Sequence, residues 1–190
     1  MKKQFITSLL MAAVTTILLG MIYPLTITGI AQLLFPEKAN GQLVIRKGEV
    51  VGSRLIGQPF TGPRYFHSRP SAAGDGYDAS NSSGSNLGPT NKKLIERVNA
   101  DAVQVQAENK GAPVPVDLVT TSGSGLDPDI SPAAALFQVP RIARERELSE
   151  ERVRQLVNIH IRHRQFGVFG EPSVNALELN LDLDGMGTRD

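Results

Sequence analysis

An uncharged run near the N-terminus limits what this chain can fold into more than any other feature of its sequence. From Gln4 to Pro36, 33 consecutive residues include no Asp, Glu, Lys, Arg or His. A helix needs only about 20 apolar residues to cross the hydrocarbon core of a bilayer. The sequence therefore predicts one transmembrane helix, which we place at residues 11–34.

The charges that flank this run predict its orientation. The pair Lys2-Lys3 precedes it, whereas Glu37 and Lys38 cancel each other on the far side. Because basic residues tend to stay on the cytoplasmic side of a membrane, residues 1–10 are expected to form a short cytoplasmic N-terminus. Residues 37–190 are then expected to form an extracytoplasmic soluble domain.

A cleavable signal peptide is the alternative interpretation of the same run. The tripeptide Gly29-Ile30-Ala31 has the small-x-small spacing that a signal peptidase accepts, and a basic region precedes the apolar one. The apolar core of a signal peptide is usually about 7 to 15 residues long. The run in this chain is about twice that length, which favours a helix that is retained as an anchor.

Composition excludes several classes of protein. The chain has 190 residues, which leaves room for one domain of ordinary size beside a membrane segment. It has no cysteine, so disulfides, thiolate nucleophiles and cysteine-ligated metals are excluded. Its 20 basic and 19 acidic side chains give a net charge of +1, which offers no argument for nucleic acid as a partner.

Local patterns predict a mixed domain after the membrane segment. Two short stretches rich in β-branched residues, Gln42–Arg46 and Glu49–Ile56, predict a hairpin. Residues 57–89 predict a long loop, because Gly and Pro interrupt them repeatedly. An apolar stripe over Lys92–Glu108 then predicts a helix, with Asn91 as its N-cap.

The rest of the chain predicts both helices and strands. The predicted elements are a buried strand over Val116–Thr121, a helix that begins after Ser131 and breaks near Pro140, a helix that begins after Ser149 and ends by Gly167, and a closing strand over Leu177–Leu183. Serine N-caps predict the two helix starts, and leucines that alternate with polar residues predict the closing strand. The expected fold class is α+β, with a single N-terminal transmembrane helix followed by one extracytoplasmic mixed domain.

The sequence shows no evident catalytic site. The only histidines are His67, His160 and His163, and no G-x-S-x-G nucleophile motif is present. His160 and His163 are three residues apart on a predicted helix, but helical histidines more often pack or are solvated than bind a metal. Asp127 and Asp129 lie at a helix entry, where a structural role is favoured over an acid pair. We expect no metal, no tightly bound cofactor and a non-catalytic role.

Two loops rich in serine and glycine are candidates for binding a nucleotide or a partner. Backbone amides in such loops can cradle phosphates, yet the chain has neither G-x-x-x-x-G-K-[ST] nor G-x-G-x-x-G after a strand. Independent binding of ATP is therefore not expected. The candidate residues are Ser83, Gly84, Ser85 and Asn86 in the first loop, and Ser122, Gly123, Ser124 and Gly125 in the second.

Other residues are candidates for contacts with partner proteins. Pro24 predicts a kink in the membrane helix, and small residues such as Gly20 before it allow another membrane helix to approach closely. Tyr65, Phe66 and Arg69 belong to residue types that are common in interfaces. We expect contacts through the helix and through this loop to contribute separately.

Six short segments follow one another behind the apolar run. They are Gly52-Ser53-Arg54-Leu55-Ile56-Gly57-Gln58, Tyr65-Phe66-His67-Ser68-Arg69-Pro70-Ser71-Ala72, Gly84-Ser85-Asn86-Leu87-Gly88-Pro89-Thr90-Asn91, Pro115-Val116-Asp117-Leu118-Val119-Thr120, Ser122-Gly123-Ser124-Gly125-Leu126-Asp127-Pro128 and Gly170-Glu171-Pro172-Ser173-Val174-Asn175. Together they resemble the family of C subunits of the Kdp potassium-transporting ATPase. The resemblance spans nearly the whole chain.

The resemblance implies a subunit of a complex in the bacterial or archaeal inner membrane. In that complex the A subunit conducts K⁺, the P-type B subunit hydrolyses ATP, and a very small F subunit joins them. The C subunit has no catalytic aspartate of its own and is needed for assembly. Its implied partners are the A, B and F subunits and membrane lipid, and K⁺ is carried by the complex.

Two roles follow from the resemblance. The first is a non-catalytic accessory subunit that stabilises the complex and docks near the outer mouth of the K⁺-conducting subunit. The second is a catalytic chaperone that raises the ATP affinity of the B subunit through a transient complex in which the two subunits share ATP. The predicted topology favours the first role, because ATP is cytoplasmic. Ser83 stands where the family usually has glycine, which also weakens a nucleotide role for this chain.

Overall fold

The structure is a computed structural model that describes residues 1–186. It comprises two compact units, Met1–Val51 and Gly52–Asp190. The first consists of an apolar helix and most of a hairpin, and the second combines helices with a small sheet. The predicted fold class is therefore confirmed as an N-terminal apolar helix followed by mixed helix and sheet. The extracytoplasmic placement of the second unit stays a prediction.

The N-terminal unit is dominated by one continuous apolar helix over Lys2–Leu34. Its parts are α1 (Lys2–Ile17), a π-helical turn (Leu18–Ile22) and α2 (Tyr23–Leu34), and a short helix α3 (Pro36–Ala39) follows. At 1.5 Å per residue the apolar helix is about 50 Å long, which exceeds the roughly 30 Å of a hydrocarbon core. None of its residues is buried within the chain, so its apolar surface is available to lipid or to another helix. It includes the predicted span, residues 11–34.

Pro24 is accommodated by the π-helical turn. A proline inside a helix has no N–H to donate, and its ring clashes with the carbonyl four residues earlier, which here is that of Gly20. The chain widens just before the proline, where the N–H of Tyr23 bonds to the carbonyl oxygen of Leu18, five residues back. Such π-bulges are a recognised cause of helix distortion. The sequence predicted the place of the irregularity, and the structure shows its form.

The predicted hairpin is confirmed. Strands β1 (Leu43–Arg46) and β2 (Glu49–Ser53) pair in a two-stranded sheet. Lys47 and Gly48 connect them with φ angles of +51° and +85°. Positive φ at both central residues is the requirement of a type I′ turn, whose twist matches that of the flanking strands. The second strand ends at Ser53, three residues earlier than predicted.

Among the described residues of the second unit, 52–186, four α-helices and a two-stranded sheet are present. The helices are α4 (Lys92–Gln106), α5 (Pro132–Arg146), α6 (Glu150–Ile159) and α7 (Ala176–Met186), and the sheet pairs β3 (Asp129–Ile130) with β4 (Val174–Asn175) in antiparallel register. Three predicted N-caps are confirmed, because Asn91, Ser131 and Ser149 each accept a backbone N–H from the first turn of α4, α5 and α6. These bonds satisfy donors that a helix start otherwise leaves unpaired.

The predicted closing strand over Leu177–Leu183 is wrong, because this segment belongs to α7. The alternating leucines suggested a period of two. Beside Leu177, the buried residues of the helix are Ala176, Leu179, Asn180 and Leu183. These positions follow the i, i+3, i+4, i+7 spacing of one helical face. The polar Asn180 hid this stripe in the sequence.

Two further predictions are wrong. Val116–Thr121 is not a strand, and Val116–Leu118 forms a single 3₁₀ turn after Pro115. Helix α5 does not break at Pro140 but continues to Arg146. Packing offsets the hydrogen bond that the proline removes. The residues of α5 that are less than 5% exposed are Ala134, Ala135, Gln138, Val139, Ile142 and Ala143.

Helix α5 is the centre of the core. It packs on α6, which in turn contacts α7. The largest fully buried apolar side chains around it are Phe66, Ile130, Ile142, Leu179, Leu183, Val139, Val153, Val157 and Val174. Phe66 is the member of this group that comes from the predicted loop. The loop is therefore held against the helices and not free in solvent.

Two buried side-chain amides hold the loop at Phe66 and His67. The backbone N–H of Phe66 donates to Asn180 Oδ1 at 2.8 Å, and Asn180 Nδ2 donates to the Phe66 carbonyl at 2.9 Å. Gln138 pairs with His67 in the same way, at 2.8 and 3.1 Å. Each amide thus supplies the donor and the acceptor that a neighbouring β-strand would offer. We call this pair the amide clamp.

Arg141 extends the amide clamp on the same face of α5. Its guanidinium donates to Gln138 Oε1 at 2.6 Å and to the carbonyl oxygens of Pro63 and Tyr65. It also forms an ion pair with Glu108, just after α4, at 2.7 Å. Because the arginine is 5% exposed, these partners are required to compensate its lost hydration. Three segments of the chain therefore meet at one side chain.

We predict that Asn180→Leu strongly destabilises the second unit. The change leaves the buried N–H and carbonyl of Phe66 without partners, and each unsatisfied group costs about 1–3 kcal/mol. The expected loss is about 2–4 kcal/mol in the free energy of unfolding, measured by urea denaturation of the detergent-solubilised chain. Asn158→Leu, at an exposed position of α6, is the matched control. Equal midpoints for the two variants would contradict the role of the clamp.

Candidate functional site

The two serine–glycine loops predicted as candidates lie against each other. The N–H of Ser83 donates to the Ser124 carbonyl at 3.0 Å, and the hydroxyl of Ser82 donates to the same oxygen at 2.9 Å. We call residues 82–86 and 122–125 together the double loop. Residues 87–121, which include the whole of α4, separate its halves in the sequence. The structure thus joins two candidates that the sequence left separate.

Glycine permits this close approach. A Cβ at Gly125 would lie 2.5 Å from the Ser83 carbonyl oxygen and 2.7 Å from the backbone nitrogen of Ala73. A Cβ at Gly84 would lie 2.9 Å from the carbonyl oxygen of Gly123. Gly125 also has a φ of +68°, which side chains other than glycine adopt with strain. Gly123 itself faces open space.

Ser71 fastens the double loop to the preceding segment. Its hydroxyl donates to the Gly125 carbonyl at 2.6 Å and accepts the N–H groups of Tyr77 and Ala73 at 2.8 and 3.2 Å. The phenol of Tyr77 donates to the Arg69 carbonyl at 2.5 Å. Burial raises the pKa of Tyr77 above its ordinary value, so the phenol keeps its proton at neutral pH. The arrangement is a network of internal hydrogen bonds.

Arg69, predicted as a partner contact, is engaged within the chain. Its guanidinium forms an ion pair with Asp127 at 3.1 Å and donates to the carbonyls of Thr120 and Thr121 at 3.4 Å. Asp127 in turn accepts the N–H of Asp129 through its other oxygen. A guanidinium that is compensated in this way holds the second half of the double loop in place. It offers little free charge to a phosphate.

Tyr65 and Phe66 differ in their availability to a partner. Phe66 is 0% exposed and belongs to the core, so its side chain is not on the surface. Tyr65 is half-buried, with the Arg146 guanidinium 4.9 Å above its ring and its hydroxyl 3.4 Å from Asp184. The side chains that Tyr65 contacts here are different from the residues that Arg69 contacts. Replacing both with alanine would therefore remove internal contacts as well as any external one.

A cleft of about 430 Å³ lies beside the double loop and is lined in part by Ser71, Tyr77 and His67. The ring of His67 makes a 3.0 Å hydrogen bond to the Gly62 carbonyl and lies 3.8 Å from Glu108. Burial, reinforced by the nearby charge of Arg141, lowers the pKa of His67 below its ordinary value. The imidazole is therefore neutral at physiological pH.

The chemistry available at this site is hydrogen bonding. Most hydroxyls of the double loop are bonded to nearby groups of the chain, as when Ser124 Oγ accepts the N–H of Leu126 at 3.1 Å. Asn86 Nδ2 lies 3.4 Å from Ser83 Oγ, a weak internal contact. The hydroxyl of Ser85 makes no hydrogen bond to residues 1–186. Ser85 and the exposed Gly123 and Ser124 are the parts of the double loop best placed for an external contact.

His160 and His163, which were predicted to lie on the same helix, do not lie on one. Helix α6 ends at Ile159, so His160 is its C-cap and His163 lies beyond it. His160 Nε2 is 3.0 Å from an Asp182 carboxylate oxygen, which ties the end of α6 to α7. Asp129 pairs with Arg162 and accepts hydrogen bonds from Ser173 and Asn175. Across residues 1–186 no group of three potential metal ligands is present.

Sequence reasoning missed the residues that position the site. Gln138 and Arg141 were absent from the candidates, although their spacing of three on α5 would have placed both on one face. Ser71 lies in one of the six segments and Tyr77 in the predicted long loop, but neither was assigned a role. Polar residues within an apolar helical stripe were the available signal, because a buried polar group needs a partner.

Comparison with known proteins identifies the relatives of this chain. A family model for KdpC, described as "K+-transporting ATPase, c chain", matches residues 5–185. The chain is 64% identical to the "Potassium-transporting ATPase KdpC subunit" of Koribacter versatilis over 185 residues, which cover 97% of this chain and 96% of that protein. It is 59% identical to the protein of the same name in Methylobacterium nodulans, covering 93% and 94%. It is 56% identical to the protein of the same name in Acidobacterium capsulatum, over 95% of this chain and 97% of that protein.

We predict that Gly125→Ala separates the halves of the double loop. The added methyl group would meet two backbone atoms at less than 3 Å in a conformation that disfavours alanine. The expected cost is about 2–4 kcal/mol in the free energy of unfolding, measured by urea denaturation. Gly123→Ala is the matched control two residues away, and it is expected to be nearly neutral. A stable Gly125→Ala variant would mean that the loops can part without loss.

Proposed function

The chain belongs to the KdpC family, the c chains of K⁺-transporting ATPases, and on that premise we propose that it is a non-catalytic accessory subunit of the complex. Its proposed task is to assemble and stabilise the complex, which carries K⁺ at the expense of ATP hydrolysed by another subunit. One observation supports this role above others. Most serine hydroxyls of the double loop are hydrogen-bonded within the chain.

The proposed location is the bacterial or archaeal inner membrane, with one membrane span. Lys2 and Lys3 favour a cytoplasmic N-terminus. The second unit would then lie outside the cytoplasm, where it could dock near the outer mouth of the K⁺-conducting A subunit. The ATP-hydrolysing B subunit and the small F subunit are the other proposed partners. This arrangement would keep the double loop away from cytoplasmic ATP.

The catalytic-chaperone role is the second candidate. In this alternative the chain raises the ATP affinity of the B subunit through a shared, transient nucleotide. The juxtaposition of the two loops favours it, because Ser85, Gly123 and Ser124 then border one surface. Against it stand the absence of a lysine from the double loop and the engagement of Arg69 by Asp127. Topology and nucleotide binding distinguish the two candidates.

The apolar helix is proposed to pack against another membrane helix. It has no buried residue within its own chain, and Gly20 lies in the π-helical turn before Pro24. Small residues let helix backbones approach in a bilayer, where close packing replaces the hydrophobic effect as the source of association. The widened turn also leaves backbone carbonyls near Gly20 for a neighbouring helix to contact.

We predict that the C-terminus lies outside the cytoplasm and that the helix is retained. An alkaline phosphatase reporter fused after the last residue is expected to be active, and a green fluorescent reporter at the same place to be dark. N-terminal sequencing is expected to find the start of the chain. Phosphatase inactivity with bright fluorescence, or a mature protein that begins after Ala31, would overturn the topology.

We predict no saturable ATP binding by the purified full-length chain at micromolar concentration. The double loop lacks the lysine of a phosphate-binding loop, and most of its serine hydroxyls are bonded within the chain. Calorimetric titration with MgATP, repeated on Ser85→Ala and Asn86→Ala, measures this. Ser80→Ala, outside the double loop, is the control. Micromolar binding that is lost in the first two variants alone would favour the chaperone role.

We predict that Gly20→Leu weakens the complex while the protein still inserts. A Cβ added at Gly20 would have its nearest neighbouring atom at 3.9 Å, and a Cβ added at Gly29 would have no neighbouring atom within 4 Å. Neither substitution is therefore expected to disturb the helix itself. Gly20→Leu is expected to lower the amount of the other subunits that co-purify by severalfold. Gly29→Leu is the control and is expected to retain them. Equal retention by both variants would show that the helix is an inert anchor.

A further inference from the structure

A second hairpin, over residues 162–173, projects from the second unit between α6 and β4. Arg162 and Ser173 exchange two backbone hydrogen bonds, at 2.8 and 3.0 Å. Gln165 and Phe169 exchange two more nearer the tip, at 2.8 and 2.9 Å. We call residues 165–169 the hairpin tip. Its backbone is thus held in one conformation by paired hydrogen bonds.

The tip presents apolar side chains to solvent. Phe166 is 91% exposed, Val168 70% and Phe169 66%. Three large exposed apolar side chains thus lie within four residues, whereas the exposed apolar residues of an ordinary surface are scattered singly. Aromatic residues are enriched in the binding interfaces of proteins. These side chains therefore indicate a contact that the isolated chain does not make.

The backbone at Phe166 strengthens this argument. Phe166 and Gly167 have φ angles of +53° and +74°, and the N–H of Val168 bonds to the Gln165 carbonyl, as in a type I′ turn. Asparagine, aspartate and glycine favour the first position of such a turn, whereas a bulky residue with positive φ is rare. Phe166 gains neither burial nor a favourable backbone from the fold. Its aromatic ring must benefit the protein in another way.

The charges at the base of the tip indicate the nature of the partner. Arg162 pairs with Asp129, and Arg164 pairs with Glu171 at 2.6 Å. Each arginine thus has a carboxylate partner within the chain, and the four groups together carry no net charge. An anionic lipid surface attracts uncompensated basic residues beside its aromatic anchors. A neutralised base instead matches an uncharged apolar surface, because little charge has to be desolvated on contact.

We propose that the hairpin tip inserts Phe166 and Phe169 into an uncharged, apolar groove on another subunit of the same ATPase. This inference rests on the accessory role proposed above, since it supplies one of the contacts through which the chain would hold the complex together. The rigid turn presents the rings in a fixed position, so little conformational entropy is lost on docking.

The first experiment separates docking from folding. Phe166→Asn is expected to leave the melting temperature of the full-length chain unchanged or raised, because asparagine suits a positive φ. The double variant Phe166→Asn, Phe169→Ser is expected to retain the other subunits of the ATPase at least about tenfold less well, because it loses two aromatic anchors. Ile159→Asn, at an apolar residue 80% exposed outside the hairpin, is the control and is expected to retain them. Full retention by the double variant would overturn the proposal.

The second experiment identifies the occupant. Benzoylphenylalanine at position 166 of the full chain, in the intact membrane-embedded complex, is expected to crosslink on irradiation to another subunit of the ATPase. Mass spectrometry of the product locates the groove. A crosslink to lipid, a crosslink to a second copy of this chain, or the absence of a protein product would each overturn the proposal.

Deleting the chain distinguishes failure of this inference from failure of the proposed function. If the other subunits assemble without the chain, the accessory role is wrong. If they disperse without it but remain bound to the Phe166→Asn, Phe169→Ser variant, the accessory role stands and the tip is not the docking element.

Discussion

The second unit depends on two side-chain amides that imitate a missing β-strand. Gln138 and Asn180, on separate helices, each pair with both backbone groups of one loop residue, and Arg141 adds bonds to neighbouring carbonyls. Buried backbone groups without partners would cost more than the packing of a single side chain returns. The clamp therefore allows an irregular segment to enter the core, where Phe66 fills the space between helices.

The amide clamp also determines where the rest of the long loop runs. Once Phe66 and His67 are fixed, the chain passes through Ser71, whose hydroxyl bonds to Gly125 in the second half of the double loop. Hydrogen bonds and glycine contacts then bring the two halves together. A segment with few apolar residues thus becomes ordered through polar contacts within the chain. Such a segment is suited to form a fixed surface for a partner.

The surface features of the chain are consistent with an accessory subunit of a K⁺-transporting ATPase. The apolar helix has no buried side chain of its own, and the hairpin tip exposes Phe166 in an unfavourable backbone conformation. Both features lack an explanation within the isolated chain. By contrast, most serine hydroxyls of the double loop are hydrogen-bonded within the chain. The proposed external contacts therefore lie on the apolar surfaces, and the serine–glycine loops support the fold.

The sequence by itself determined the apolar helix, the first hairpin and three helix starts, because each depends on neighbouring residues: an uncharged run, a turn at Lys47-Gly48, and serine or asparagine caps. It did not determine α7, since the buried Asn180 interrupts the helical stripe and its partner lies 114 residues away. It named both halves of the double loop but could not join them. Only the tertiary structure decided these points, because side-chain pairing between distant segments leaves no local period in the sequence.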